Sequence, residues 1–228
     1  MTSGKIILKG IAGIDEAGRG PMIGPLVVCG VLIENKVIEK LQKIGVKDSK
    51  ALTSKKREIL SSEIQKYASG IAIQSISAHQ IDQTRRRGTS LNEIEVNLFS
   101  EIVMKLRPAI VYLDAADVIA ERFGDNVGER SGLLNEGCKF ISEHKADEKY
   151  TIVAAASIIA KVKRDRIIKR YHEIYGDFGS GYPSDPKTIK FVRNHAMKGG
   201  ELPDIVRKSW ESVSRILNDT NTRQMKLD

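Results

Sequence analysis

Asp15 and Glu16 stand side by side at the end of an apolar run, and Gly18-Arg19-Gly20-Pro21 follows at once, with Gly24-Pro25 just beyond. Burying unpaired charge is costly, so an apolar strand that ends on two acids needs a reason. A divalent cation is one, because hard cations take oxygen ligands and tolerate several carboxylates together. Asp114 ends a second apolar run, Ala109–Leu113, in the same way, with the small Ala115 and Ala116 after it. Carboxylates at the carboxyl ends of neighbouring strands converge at the mouth of an α/β sheet, where ligands bind. Adjacent strand residues face opposite ways, so Asp15 and Glu16 converge only if the strand breaks at Glu16, which an Ala17-Gly18 turn allows. Asp147, in His144-Lys145-Ala146-Asp147, is the fourth candidate. It also fits a first-turn carboxylate that complements a helix dipole. Four acids with no histidine partner suit Mg2+ or Mn2+ better than zinc. Two such ions can activate a water and stabilise the leaving oxygen of a phosphodiester. His79, His144, His172 and His195 are scattered and read as structural or exposed; Asp48, Asp117 and Asp125 read as solvated loop or cap acids.

The glycines after the acids allow positive φ and let a ligand approach bare backbone. Their spacing, Gly18-x-Gly20-x-x-x-Gly24, is one residue too long for the dinucleotide fingerprint, and Pro25 forbids the helix interior that pattern needs. No Gly-Lys-Ser/Thr follows, which excludes a P-loop. A hairpin with solvated acids at its tip is the plain alternative. Lys47-Asp48-Ser49-Lys50 precedes a helix whose opening turn carries Lys55, Lys56 and Arg57. Cations there oppose the macrodipole, which points either to an external anion or to a solvated charged face. Lys161, Lys163, Arg164, Arg166, Lys169 and Arg170 form a second basic run. On a helix they spread over more than one face, so two or three could touch phosphates and position a duplex without reading its bases. Gly179-Ser180-Gly181-Tyr182-Pro183-Ser184-Asp185 presents one tyrosine on a rigid loop. Tyr182 can stack on a sugar or base, or pack on its own core.

At 228 residues the chain fits one domain, or one with a small appendage, and 41% hydrophobic residues suffice for a normal core. The net charge of +8 and pI of about 9.4 favour polyanionic partners, chiefly nucleic acid. Cys29 and Cys138 lie inside apolar runs without Cys-x-x-Cys spacing, which reads as buried, reduced thiols in a cytoplasmic protein. No apolar stretch reaches the ~18 residues of a membrane span. Met1–Lys9 lacks a signal-peptide core.

The elements that must position these groups follow from periodicity. Ile11–Asp15 reads as a first strand, Pro25–Ile33 as a buried second, Gly70–Ile76 as a third, Ala109–Leu113 as a fourth and Gly137–Ile141 as a fifth. Helical spacing covers Thr53–Tyr67, Leu91–Leu106 and Thr151–Tyr175; in the second, Leu91, Ile94, Leu98, Ile102 and Leu106 share a face, with Ser90 and Glu93 as a capping box. Three strands with short connections, then helices alternating with two strands, predict an α/β sheet with an antiparallel and a parallel part. After Gly199 the chain reads as a helical extension opened by Pro203, amphipathic over Ile205–Leu217, with Asn218–Asp228 polar and frayed.

Eight ordered blocks within Ile11–Trp210 resemble the ribonuclease HII family, most closely its archaeal form. They are IDEAGRGPMIGP (14–25), KDSKALT (47–53), LNEIEVNLF (91–99), YLDAADV (112–118), HKAD (144–147), AAASIIAKVKRDR (154–166), GSGYPSDP (179–186) and VRKSW (206–210). The resemblance implies an α/β ribonuclease H-like fold: a five-stranded mixed sheet of order 3-2-1-4-5 flanked by helices, with a C-terminal helical extension. It divides the chain into a catalytic domain over 1–195 and the extension over 196–228. It implies an endonuclease that cuts the RNA strand of RNA–DNA hybrids and incises at ribonucleotides embedded in duplex DNA, as in ribonucleotide excision repair, using Mg2+ or Mn2+. By motif, Asp15, Glu16, Asp114 and Asp147 match the family's catalytic, metal-binding acids, and Gly18, Arg19 and Gly20 match the turn that recognises the ribonucleotide. Tyr182 matches the tyrosine that packs on the sugar, and Ser49, Lys50, Ser157 and Lys161 match phosphate contacts. Nothing in the sequence demands a dimer, so a monomer is expected. Some archaeal members dock on the sliding clamp through a glutamine-plus-aromatics tail. Here Arg223-Gln224-Met225-Lys226-Leu227-Asp228 has no aromatic pair, so docking through the tail is not expected. The rival readings are a nuclease of the same fold acting on branched DNA and a non-catalytic hybrid-binding module.

Overall fold

A computed structural model describes residues 8–46, 52–199 and 201–224. The strands are β1 (Ile11–Ala17), β2 (Leu26–Ile33), β3 (Gly70–Ile76), β4 (Ile110–Asp114) and β5 (Lys139–Glu143). They form one sheet of order β3-β2-β1-β4-β5. β1 runs antiparallel to β2, with Asp15 opposite Cys29, and parallel to β4. β4 and β5 are parallel. The mixed sheet expected from the order of elements is therefore present. The connection between β2 and β3 is not short, since it carries α1 (Ile38–Lys43) and α2 (Ser54–Tyr67). The fifth strand starts later than its apolar run suggests because Gly137, at φ +93°, still belongs to a turn in which Cys138 N–H donates to the Leu133 carbonyl.

The remaining helices are α3 (Ala78–Arg86), α4 (Leu91–Leu106), α5 (Ala120–Ser131), α6 (Ala146–Lys149), α7 (Thr151–Tyr175), α8 (Pro186–Met197) and α9 (Glu211–Gln224). Helix α9 begins later than the expected Ile205–Leu217 helix. Residues 203–210 instead form an irregular segment in which Val206 bridges to Ile23. Part of the apolar spacing that suggested a helix there belongs to Ile205 and Val206, residues of the irregular segment itself that are buried in a core with Met22 and Ile23.

Two compact units are present. The first takes the described residues up to Ala17, Val27–Gln74 and Asn92–Val162; the second takes Gly18–Leu26, Ser75–Leu91 and the chain from Lys163 onward. In the first, Ala12, Ile14, Val111 and Leu113 face a core with Phe99 and Ile102 of α4 and Phe123 of α5. Phe99 and Phe123 meet edge-on at 5.1 Å. Full burial of each such side chain contributes ~1.5–3 kcal/mol. The opposite face of β1 is covered by the start of α7: any Cβ at Gly13 would overlap the backbone of Ile152 and Val153. Strand alternation therefore turns Asp15, like Gly13, toward α7. In the second unit Met22, Ile23, Phe178, Val192, Val206 and Val213 form a separate core. Both cysteines are free and buried. Among the described residues no helix is long and apolar enough to cross a membrane.

Candidate functional site

In the first unit the parallel register Ile14↔Leu113 places Asp15 and Asp114 at the next step of adjacent strands. Asp147 reaches them from the first turn of α6, after Lys145, whose φ of +55° is uncommon for a residue with a side chain. That bend also aims the Ala146 N–H at Asp114 Oδ1, 2.9 Å away. One ligand oxygen from each of Asp15, Asp114 and Asp147 lies within 4.8 Å of the others. Asp15 and Asp147 are buried, 4% and 5% exposed, while Asp114 is half-exposed. Asp15 Oδ1 also accepts the Glu16 N–H at 2.7 Å.

Burial first, then the charges of Glu16 and Asp114, hold the Asp15 carboxyl well above the usual carboxylate range; Asp147 adds to this, and a hydrogen bond from Ser157 opposes it. Burial pushes the thiol of Cys29, opposite Asp15, upward as well. A divalent cation held by these acids would offset the charges that raise Asp15 and favour its ionised form. An all-oxygen, carboxylate-rich donor set fits a hard cation such as Mg2+ or Mn2+.

Glu16 is not among the three acids that meet. The expectation that the strand breaks at Glu16 does not hold: pairing with β2 continues through Glu16↔Val28 to Ala17↔Val27. Within an unbroken strand alternation turns Glu16 to the other face, yet its charge still reaches Asp15, where it ranks next after burial in raising the carboxyl. Ser157 on α7 is fully buried and bonds Asp15. Lys161, one turn further along α7, is half-buried. Ser49 and Lys50 lie outside the described residues. Asp117 is not a solvated acid: it is buried and holds Arg122 through two bonds of 2.9 and 2.5 Å. The four histidines bond elsewhere: His144 to the Val118 carbonyl, His172 to that of Gly179, His195 to that of Phe191, and His79 to Gln83 and Asp204.

In the second unit Gly18 has φ +91°, and a Cβ there would lie 2.5 Å from both Arg164 Nε and the Pro25 carbonyl. Only glycine fits. Gly20 differs. It is exposed, and the nearest atom to a Cβ placed on it is Cε1 of Tyr182, at 3.9 Å. Tyr182 is 40% exposed, and the Arg164 guanidinium lies 5.5 Å from its ring centroid. Its loop is fixed on both sides. Asp185 caps α8, accepting from Lys187 N–H (2.9 Å) and Ser180 N–H (2.7 Å), and the Gly181 carbonyl accepts from Met22 N–H at 2.7 Å. The Gly18–Gly20 turn and Tyr182 thus form one surface. Arg19 and Gly20 also border an open cavity of about 460 Å3, with Arg85, Ser209 and Trp210.

A sheet of this order carrying converging carboxylates at the ends of its central strands is a ribonuclease H-like nuclease scaffold. The sequence model of the family described as Ribonuclease HII matches residues 12–213. The chain is 49% identical over 219 residues to a ribonuclease HII of Pyrococcus furiosus, covering 95% of both chains. It superposes on the crystal structure of the ribonuclease H2 from Pyrococcus horikoshii OT3 with a TM-score of 0.83, at 42% identity, over 92% of this chain and 98% of that one. Its likeness to the ribonuclease HII in the PCNA:RNase HII complex from Archaeoglobus fulgidus has a TM-score of 0.82 at 44% identity, over 92% and 99%. The chain belongs to the ribonuclease HII family and is a ribonuclease H, a metal-dependent hydrolase acting on nucleic acid.

Proposed function

We propose that this chain is an endonuclease that hydrolyses the RNA strand of RNA–DNA hybrids and incises on the 5′ side of ribonucleotides embedded in duplex DNA, leaving 5′-phosphate and 3′-hydroxyl ends. The observation that carries the reading is the meeting of Asp15, Asp114 and Asp147 within 4.8 Å at the ends of two adjacent strands and a following turn. Asp15, Asp114 and Asp147 would hold Mg2+ or Mn2+, and Glu16, whose charge is felt at Asp15, would add to the negative field that attracts the ions. Two such ions supply an activated water and stabilise the leaving 3′-oxygen. Ser157 keeps the Asp15 carboxylate oriented, and the Ala146 N–H does the same for Asp114. The backbone amides of Gly18–Arg19–Gly20 hydrogen-bond the 2′-hydroxyl, the group that separates RNA from DNA. Tyr182 packs on the sugar beside it. Lys161, Ser49 and Lys50 contact phosphates, in keeping with the net charge of +8.

The intact carboxylates speak against a non-catalytic binder, which gains nothing by presenting acids to phosphate. The adjoining Gly20 and Tyr182 favour ribonucleotide sensing over a branched-DNA substrate. We read the protein as a cytoplasmic monomer, with 1–195 catalytic and 196–228 an extension.

The test is cleavage of a uniform RNA–DNA hybrid and the matched all-DNA duplex with Mg2+ or Mn2+, using wild type, Asp15→Asn and Asp114→Asn. Cutting confined to the hybrid and abolished by either substitution is expected. Near-normal rates in either variant would rule out the assigned ligands.

A further inference from the structure

The turn proposed to read the 2′-hydroxyl is shaped by a residue outside it. Arg207 is fully buried. Its guanidinium donates in three directions, each time to a main-chain carbonyl: Nη2 to Gly18 (2.5 Å), Nη1 to Arg19 (2.9 Å) and Nε to Gly24 (3.0 Å). Its own backbone N–H donates to the Met22 carbonyl at 2.8 Å, and the Gly24 N–H returns a bond to the Ile205 carbonyl at 2.8 Å. Arg164, the second buried arginine, takes the Ile23 carbonyl at 3.1 Å. Five carbonyls between Gly18 and Gly24 are thereby directed at the protein interior.

In a planar trans peptide the C=O and the following N–H point in opposite directions. Fixing the Gly18 carbonyl toward Arg207 turns the Arg19 N–H away from it, and fixing the Arg19 carbonyl does the same for the Gly20 N–H. The orientation of the two amides is thus set by Arg207. Arg207 is itself braced. Its guanidinium carbon lies 4.7 Å from the Trp210 ring centroid, and that of Arg85 lies 5.0 Å away. Asp82, buried on α3, accepts from Lys208 N–H (2.7 Å), Ser209 N–H (3.0 Å) and Ser209 Oγ (2.6 Å), which pins the chain just after Arg207.

We propose that Arg207 is a specificity-determining positioning residue: it holds the Gly18–Arg19–Gly20 turn with its amides presented to the ribonucleotide, without touching substrate itself. This rests on the reading of that turn as the 2′-hydroxyl sensor. Lysine in its place keeps the charge but is a compact point donor that cannot match three fixed carbonyls.

The experiment compares wild type and Arg207→Lys on a DNA duplex with one ribonucleotide and on the matched all-DNA duplex. In Arg207→Lys, kcat/KM on the ribonucleotide duplex should fall about 100-fold, the scale of a misplacement near 1 Å. Discrimination against the all-DNA duplex should fall in step, while the Mg2+ concentration giving half-maximal rate stays the same. A folded Arg207→Lys protein with wild-type discrimination overturns the proposal. A wild type that cuts both duplexes equally overturns the reading of the turn instead. A second measurement needs no variant: 15N NMR of the Arg207 side chain in the unaltered protein. Slowly exchanging Nε and Nη protons with hindered rotation are expected. A freely rotating guanidinium overturns the brace even where Arg207→Lys does not fold.

Discussion

Asp114→Asn should stabilise the metal-free protein and destroy its response to metal. The ligand oxygens of Asp15, Asp114 and Asp147 lie within 4.8 Å of one another. At an effective dielectric constant near 20, two like charges at that separation repel by about 3.5 kcal/mol. The charge of Asp114 is among those that raise the Asp15 carboxyl, so their mutual repulsion is the term that a neutral side chain at 114 removes. Asparagine at 114 removes that term and keeps an oxygen to accept the Ala146 N–H, now 2.9 Å from Oδ1; alanine would lose both. With half-exposed Asp114 screened by water, the net gain is about 1–3 kcal/mol. At roughly 2–4 °C per kcal/mol for a chain of this size, the midpoint should rise several degrees. Saturating metal reverses the order, since a ligand at 100 times its Kd adds about 2.7 kcal/mol to wild type and much less to the variant. Thermal melts in EDTA and in Mg2+ or Mn2+ decide it. An Asp114→Asn protein that melts below wild type in EDTA, or gains as much from metal, would refute the reasoning.

Further outcomes are expected. Because the folded Asp15 holds its proton above the ordinary carboxylate range of about 3.9, the native state binds more protons than the unfolded one in the window above that value, so metal-free stability should fall as pH rises through it. Metal uptake there should release protons, measurable by calorimetry in buffers of different ionisation enthalpy; a buffer-independent heat contradicts this. Ser157→Ala removes the bond that lowers the Asp15 pKa, so metal binding at fixed pH should weaken; unchanged affinity by calorimetric titration contradicts it. Gly20→Ala should melt like wild type yet lose activity on ribonucleotide substrates, because its methyl meets only Tyr182, at 3.9 Å. Gly18→Ala should cost about 2–4 kcal/mol in chemical denaturation, from positive φ and overlap with Arg164. Equal melting of the two glycine variants counts against this description of the turn.

Apolar runs and their terminal acids made the central strands legible in the sequence, because a buried strand leaves a continuous hydrophobic signature. Two strands ending alike marked Asp15 and Asp114 as candidates, and the strand order implied by the family resemblance made them neighbours. Other parts were hidden for identifiable reasons. Helix α5 carries Gly124 and Gly128, poor helix formers, and both are there because Ser142 and Phe140 of β5 pack against them. Helix α3 is mostly polar, although Ser77 and Gln80 form a capping box that could have marked its start. Asp185-Pro186 was an equally readable start for α8. Arg207 left no local signal at all: a single arginine in VRKSW says nothing of the carbonyls of Gly18, Arg19 and Gly24, which only the folded chain brings to it.

The central claim is that remote carboxylates act together on a phosphodiester next to a ribonucleotide, and the most direct measurement is cleavage-site mapping. A DNA duplex with one embedded ribonucleotide is incubated with Mg2+, Mn2+ or EDTA, and both product ends are identified. The expected result is a single metal-dependent incision on the 5′ side of the ribonucleotide, with 5′-phosphate and 3′-hydroxyl ends. Products bearing 2′,3′-cyclic phosphate, or equal cutting in EDTA, would contradict it.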